Sequence, residues 1–158
     1  MIRFIFTAFL SLLMFLPTVR AQQQFEGISC YSGTMTVFHD SKELTFVMGW
    51  DLDGIYMNRS DNKFLDNATV HCEGTMRGLG ENRQGQAYCR IVDTDGDLVM
   101  IDWYAKGKEA GADYLEGTGK YKGIKGGFKS VPLARGKPPM KGRYTGCNTL
   151  TGTYELAN

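Results

Sequence analysis

The chain has 158 residues, 42% of them hydrophobic and 22% charged, enough apolar material for one core and too little length for two ordinary domains. Twenty glycines against four prolines make it turn-rich without collagen-like or low-complexity character. Eighteen basic and seventeen acidic side chains leave a formal charge of +1, which excludes a charged disordered tail and a strongly basic nucleic-acid binder.

Phe4 to Leu16 is an uncharged, mostly apolar run preceded by Arg3 and followed by Pro17, and Val19-Arg20-Ala21 offers small side chains for cleavage. The run falls short of the roughly twenty apolar residues that span a bilayer, so residues 1–21 are expected to be a secretory signal peptide. Residues 22–158 then form a single exported domain with no transmembrane span. All four cysteines (Cys30, Cys72, Cys89 and Cys147) lie in that domain. An even count in an oxidising compartment points to disulfides. Zinc is the alternative, but it favours paired cysteines at C-x-x-C spacing and none occur here.

Period-two patterning dominates the remaining chain. Leu44, Phe46, Met48 and Trp50 are apolar at every second position, and Leu150, Gly152, Tyr154 and Leu156 alternate with Thr149, Thr151, Thr153 and Glu155. Such alternation gives strands with one buried and one wet face. Turn signals at Asp40-Ser41-Lys42, Asp53-Gly54, Gly80-Glu81, Asp95-Gly96 and Gly107-Lys108 punctuate the runs, as in an antiparallel sandwich or barrel.

Two hairpins can be put in register. Gly80-Glu81 as a two-residue II′ loop makes paired positions sum to 161, which sets Cys72 opposite Cys89. The pair falls at a non-hydrogen-bonded position, where Cα atoms lie about 4.5 Å apart, at the short end of what a disulfide accepts. In the next turn, a two-residue Asp95-Gly96 loop would bury Asp102 beside that disulfide. A type I turn over Thr94-Asp95-Gly96 with a glycine bulge instead sends Val99, Ile101 and Trp103 inward. Burying an unpaired carboxylate is unfavourable and burying a tryptophan favourable, so the bulged turn is expected and Asp102 is a poor catalytic candidate. Cys30 and Cys147 then remain, one in the first strand and one near the last. A bond between them brings the chain ends together, as closing a barrel requires.

Other motifs fail on chemistry. Asp93-Thr94-Asp95-Gly96-Asp97 resembles a calcium loop, but its glycine is fourth instead of sixth and its twelfth position is Tyr104 instead of glutamate. Gly117-Thr118-Gly119-Lys120-Tyr121-Lys122-Gly123 satisfies neither the dinucleotide nor the Walker pattern and reads as strand-turn-strand. His39 at a hairpin end and His71 on a wet face make no catalytic set. No motif calls for a metal or a cofactor.

Charge is unevenly placed. Residues 22–116 hold eight basic and sixteen acidic side chains, whereas residues 117–158 hold eight basic and one acidic. Lys120 and Lys122 alternate as on one strand face, and with Lys125 and Lys129 they make a candidate patch for an anionic polymer or membrane surface. The bland alternative is that both halves intermix on one barrel and neutralise each other.

The stretch Gly117–Gly127, with Gly146-Cys147-Asn148 and the closing Thr151-Gly152-Thr153-Tyr154, resembles uncharacterised secreted bacterial proteins of the allene oxide cyclase and dirigent-type barrel superfamily. A G-x-G-x-[YF]-x-G-[IA]-x-G hairpin recurs there. The resemblance implies an all-β, closed antiparallel eight-stranded barrel (allene oxide cyclase-like or calycin-like) with a ligand-sized interior. No positions match the cyclase's catalytic residues, so its activity is not implied.

The combined expectation is an exported barrel stapled by two disulfides, holding a small apolar molecule against Phe46, Met48, Trp50, Met76 and Trp103. Gly74, Gly78, Gly85 and Ala87 on the same face leave room, although facing aromatics could equally fill it. A cyclase, isomerase or dirigent-like enzyme is one alternative, which needs an inward polar group. A surface module using the basic patch is the other.

Overall fold

Alternating apolar side chains can bury one face only by packing against another sheet or by curling the sheet onto itself. The chain takes the second course. The computed structural model describes residues 21–40, 46–78 and 82–157. Residues 1–20 of the expected signal peptide and the Gly80-Glu81 turn lie outside the described residues.

Eight strands follow in chain order: β1 (Gln23–His39), β2 (Phe46–Asn58), β3 (Ala68–Gly78), β4 (Gln84–Val92), β5 (Leu98–Lys106), β6 (Glu109–Gly117), β7 (Lys125–Arg135) and β8 (Arg143–Glu155). Each pairs antiparallel with the next, and β8 returns to β1 to close the barrel. The β6–β7 seam is the shortest, pairing only Gly111–Asp113 with Gly127–Lys129.

Both disulfides form across directly paired residues. Cys72 faces Cys89 in the β3–β4 ladder with Cα atoms 4.1 Å apart, and Cys30 faces Cys147 in the β1–β8 ladder at 4.0 Å. Cys72–Cys89 is buried on the inner face, whereas Cys30 shares the outward parity of Glu26 and Thr34, so Cys30–Cys147 staples the outer wall.

The β4–β5 turn takes the bulged form. Gly96 N–H donates to Asp93 C=O at 3.1 Å, Asp93 N–H donates to Asp97 C=O at 3.0 Å, and Gly96 sits at φ +91°. Only glycine enters that region without strain. Val99 and Ile101 are accordingly buried, and Asp102 stays on the outer wall within 3.2 Å of the Gln86 amide.

Asp93 is the hub of this turn. Its Oδ1 accepts the N–H groups of Asp95 at 2.9 Å and Asp97 at 3.0 Å, while Oδ2 meets Lys120 Nζ. Burial alone would push its carboxyl up. The Lys120 ammonium, the Tyr121 hydroxyl and those two N–H groups outweigh burial and hold it below the usual carboxylate value. Lys120→Met should therefore cost about 1–3 kcal/mol at pH 7, because a buried carboxylate loses its cation. The Asp93 contribution is full above its unfolded value of 3.8 and fades as pH falls through the lower folded value. Urea melts of both proteins should thus show the gap between them closing in acid.

One end of the barrel is packed solid. Phe25, Tyr56, Phe64, Val70, Ile91, Val99, Ile101, Tyr114, Phe128, Leu150 and Tyr154 form one buried cluster. Phe64 and Leu65 belong to the loop between β2 and β3, which tucks under the barrel as a plug, and Phe64 stacks on Tyr154 with ring centroids 3.8 Å apart. The β6–β7 connection closes the same end. A short 3-10 turn at Gly119–Tyr121 places Tyr121 and Ile124 in the core, with Gly119, Gly123 and Gly126 at positive φ.

Lys120 and Lys122 therefore lie in this connection and not on one strand face, and Lys120 is held by Asp93 and by Asp95 at 2.6 Å. The strand expectation fails because glycines at positive φ bend the chain before a ladder can form. Lys125 and Lys129 are exposed on β7.

Candidate functional site

The opposite end of the barrel is hollow. Alternation along β2 points Met48, Trp50 and Leu52 inward, and Met76 on β3, Ala87 on β4 and Trp103 on β5 complete an apolar wall around a cavity of about 290 Å³. The Trp50 and Trp103 rings meet edge to face with centroids 5.5 Å apart. The Cys72–Cys89 disulfide also lines this space. Facing aromatics thus fill one half of the barrel and leave the other open. Of the side chains expected to line the interior, Met48, Trp50, Met76 and Trp103 do so. Phe46 opens β2 opposite Gly78, and its side chain lies outside the described residues. Gly74 serves a different end from making room: a Cβ there would lie 2.5 Å from that of Ala87, so its absence lets β3 and β4 approach.

The facing wall carries polar groups, which the sequence did not reveal. Tyr31, Ser130, Tyr144, Asn148 and Arg135 line the cavity from β1, β7 and β8 beside Met35 and Pro132, and Arg83, just before β4, reaches it from the side of Ala87 and Trp103. Arg135 enters by a shift of register. Along β7, Phe128, Ser130 and Pro132 pair with the inward residues Gly152, Leu150 and Asn148, and a bulge between Pro132 and Ala134 then pairs Arg135 with Gly146. One extra residue reverses the parity, so a side chain that would have lain beside Lys129 lines the mouth of the cavity instead, where it stays exposed. Proline inside a run of alternating residues was the available signal, since proline in a strand marks an edge or a bulge.

Arg135 is held in place once turned inward. Its Nη1 donates to Ala134 C=O at 3.0 Å, Cys147 C=O at 3.1 Å and Asn148 Oδ1 at 3.0 Å, and its guanidinium lies 5.5 Å from the Tyr144 ring centroid. Arg83 Nε donates to Gly107 C=O at 2.8 Å, tying β4 to the β5–β6 turn at the rim. Burial pushes the Tyr31 hydroxyl above its usual pKa, against the opposing effect of its hydrogen bond with Ser29. Burial also raises Tyr144, with Arg135 pulling it down. Both phenols are neutral donors at pH 7. The buried Tyr56 and Tyr114 hydroxyls have no hydrogen-bond partner among the described residues.

His71 stands on the outer wall, as its strand face predicts. Its Nδ1 lies 2.9 Å from Asp53 and 3.8 Å from Asp51, and its Nε2 lies 3.6 Å from Glu73. Arg90 pairs with it from β4. The hydrogen bond to Asp53 raises the imidazole pKa above 6.5, with partial desolvation opposing and the Asp53, Asp51 and Glu73 carboxylates assisting. A raised folded value gives stability that is complete below the unfolded pKa and disappears as pH rises through the folded one. His71→Gln should therefore destabilise the protein at pH 6 and have a smaller effect at pH 8, measured by urea titration at both.

No family model matches the chain, and no curated protein sequence matches it. Among solved structures, the barrel is similar to the pterocarpan synthase dirigent protein GePTS1, with 12% identity over 90% of this chain and 98% of that one and a TM-score of 0.52. The pterocarpan synthase dirigent protein PsPTS1 is similar at 11% identity over 90% and 97% of the two chains, with a TM-score of 0.47. On the likeness to GePTS1, the eight-stranded barrel has the fold of a dirigent protein. At such identities the likeness is one of fold.

Proposed function

We propose that the protein is an exported barrel that binds a small, largely apolar molecule in its open half. One observation carries this reading: a cavity of about 290 Å³ walled by two tryptophans and three methionines persists in a barrel whose other half holds a buried aromatic cluster. An interior designed only for stability would have filled it, because voids of this size are costly. The size suits a compact ligand, since a cavity of about 150 Å³ already accepts benzene. Two disulfides suit an oxidising compartment, and no helix among the described residues is long and apolar enough to cross a membrane.

A dirigent-like or isomerase role is the second reading. Tyr31, Ser130, Tyr144, Asn148 and Arg135 supply the inward polar groups that steering a bound intermediate would need, and the neighbour GePTS1 is a dirigent protein. The basic surface is the weaker basis for function, because Lys120 is neutralised by Asp93 and Asp95. Native mass spectrometry of protein purified from its own host tests the binding reading. A retained small molecule, lost when Trp50 and Trp103 are both replaced by alanine, is expected. A bare mass, with no response of the two indole N–H resonances to one- and two-ring aromatics, would overturn it.

A further inference from the structure

Among the described residues, the charges lining the cavity are of one sign. Arg83 and Arg135 line it, and no described aspartate or glutamate does. Neither arginine forms an ion pair with any described residue, although acidic side chains are almost as numerous as basic ones in the whole chain. Arg135 is aimed inward by a β-bulge and braced by two backbone carbonyls and Asn148, so its position is built into the fold. Tyr31 and Tyr144 add hydroxyl donors to the same side, while Trp50 and Trp103 stand on the apolar side. The cavity is therefore amphipathic: Trp50 and Trp103 on one side, Arg135 and the two tyrosine hydroxyls on the other, with Arg83 on the tryptophan side.

We propose that the ligand is a small aromatic acid, with one or two rings against Trp50 and Trp103 and a carboxylate directed to Arg135, with Arg83 as the second cation. This rests on the reading of the cavity as a binding site and adds the chemical class of its occupant. A guanidinium offers paired donors that match a carboxylate, and such charged hydrogen bonds are stronger than neutral ones. An uncharged ring compound would gain the apolar wall alone and leave those donors unanswered.

The test compares 2-naphthoate with 2-naphthamide, which share rings and size and differ in charge. Affinities come from calorimetry, and location comes from the indole N–H resonances of Trp50 and Trp103, the two tryptophans of the chain. The naphthoate should bind more tightly by roughly tenfold or more. Arg135→Gln should remove most of the preference for naphthoate and leave the amide unchanged, while Arg135→Lys keeps more of the preference. Arg83→Gln should weaken naphthoate selectively without touching the Arg135 bracing. Equal affinities for acid and amide, or variants that weaken both alike, would overturn the aromatic-acid assignment while leaving the binding reading intact. If neither compound moves either indole, the binding reading falls and this assignment with it.

Discussion

Replacing Cys30 and Cys147 together by serine should destabilise the protein by about 4–5 kcal/mol, the largest effect expected from removing any single cross-link. The bond spans 117 residues, so without it the unfolded chain recovers the entropy of a loop nearly as long as the domain. Both cysteines sit on the outer wall, so serine leaves no hole in the core, and the loss isolates the constraint on the unfolded state. Cys72–Cys89 closes a separation of 17 residues and should contribute about 3 kcal/mol by the same reasoning. Urea unfolding of each double variant measures the difference. With total stabilities usually in the range of about 5–15 kcal/mol, the Cys30–Cys147 variant should be close to unfolding at 37 °C. A loss below about 1 kcal/mol would mean that the β1–β8 seam holds the chain ends together without its covalent link.

Phe25→Ala should cost about 3–5 kcal/mol, and Trp103→Ala only about 1–2 kcal/mol, despite the larger side chain removed. Phe25 is 2% exposed, with ring centroids 5.2–6.3 Å from those of Phe64, Phe128, Tyr56 and Tyr154, so its removal opens a void that surrounding rings cannot close. Trp103 is half-buried and borders an existing cavity, so its truncation mainly enlarges that space. Thermal and urea melts of the two variants decide the order. The reverse order would mean that the solid and hollow halves of the barrel have been exchanged.

The features legible in the sequence are those set by parity and by the cost of burying charge. A two-residue turn at Gly80-Glu81 aligned Cys72 with Cys89, and the ladder has that register. The penalty on burying Asp102 selected the bulged turn, and Val99 and Ile101 are buried as a result. The same alternation found Met48, Trp50, Met76 and Trp103. Parity arguments break where the chain inserts a residue or leaves the ladder. The bulge after Pro132 brings the exposed Arg135 to the mouth of the cavity, and only the proline hinted at it. The plug at Phe64 and Leu65 follows no period, because it is a loop with Lys63, Leu65 and Asn67 at positive φ. Lys120 and Lys122 alternate in sequence, yet the glycines around them impose a turn. The apolar wall of the site could therefore be read from sequence, and its polar wall could not.

Ligand binding requires the hollow end of the barrel to be open between Met48, Trp50, Met76 and Trp103. A crystal pressurised under xenon measures this directly, because an apolar cavity of adequate size takes up the gas. The account predicts a strong xenon peak bounded by those four side chains and none among Phe25, Phe64 and Phe128. An interior without a peak, with both indoles swung inward to fill the space, would contradict it.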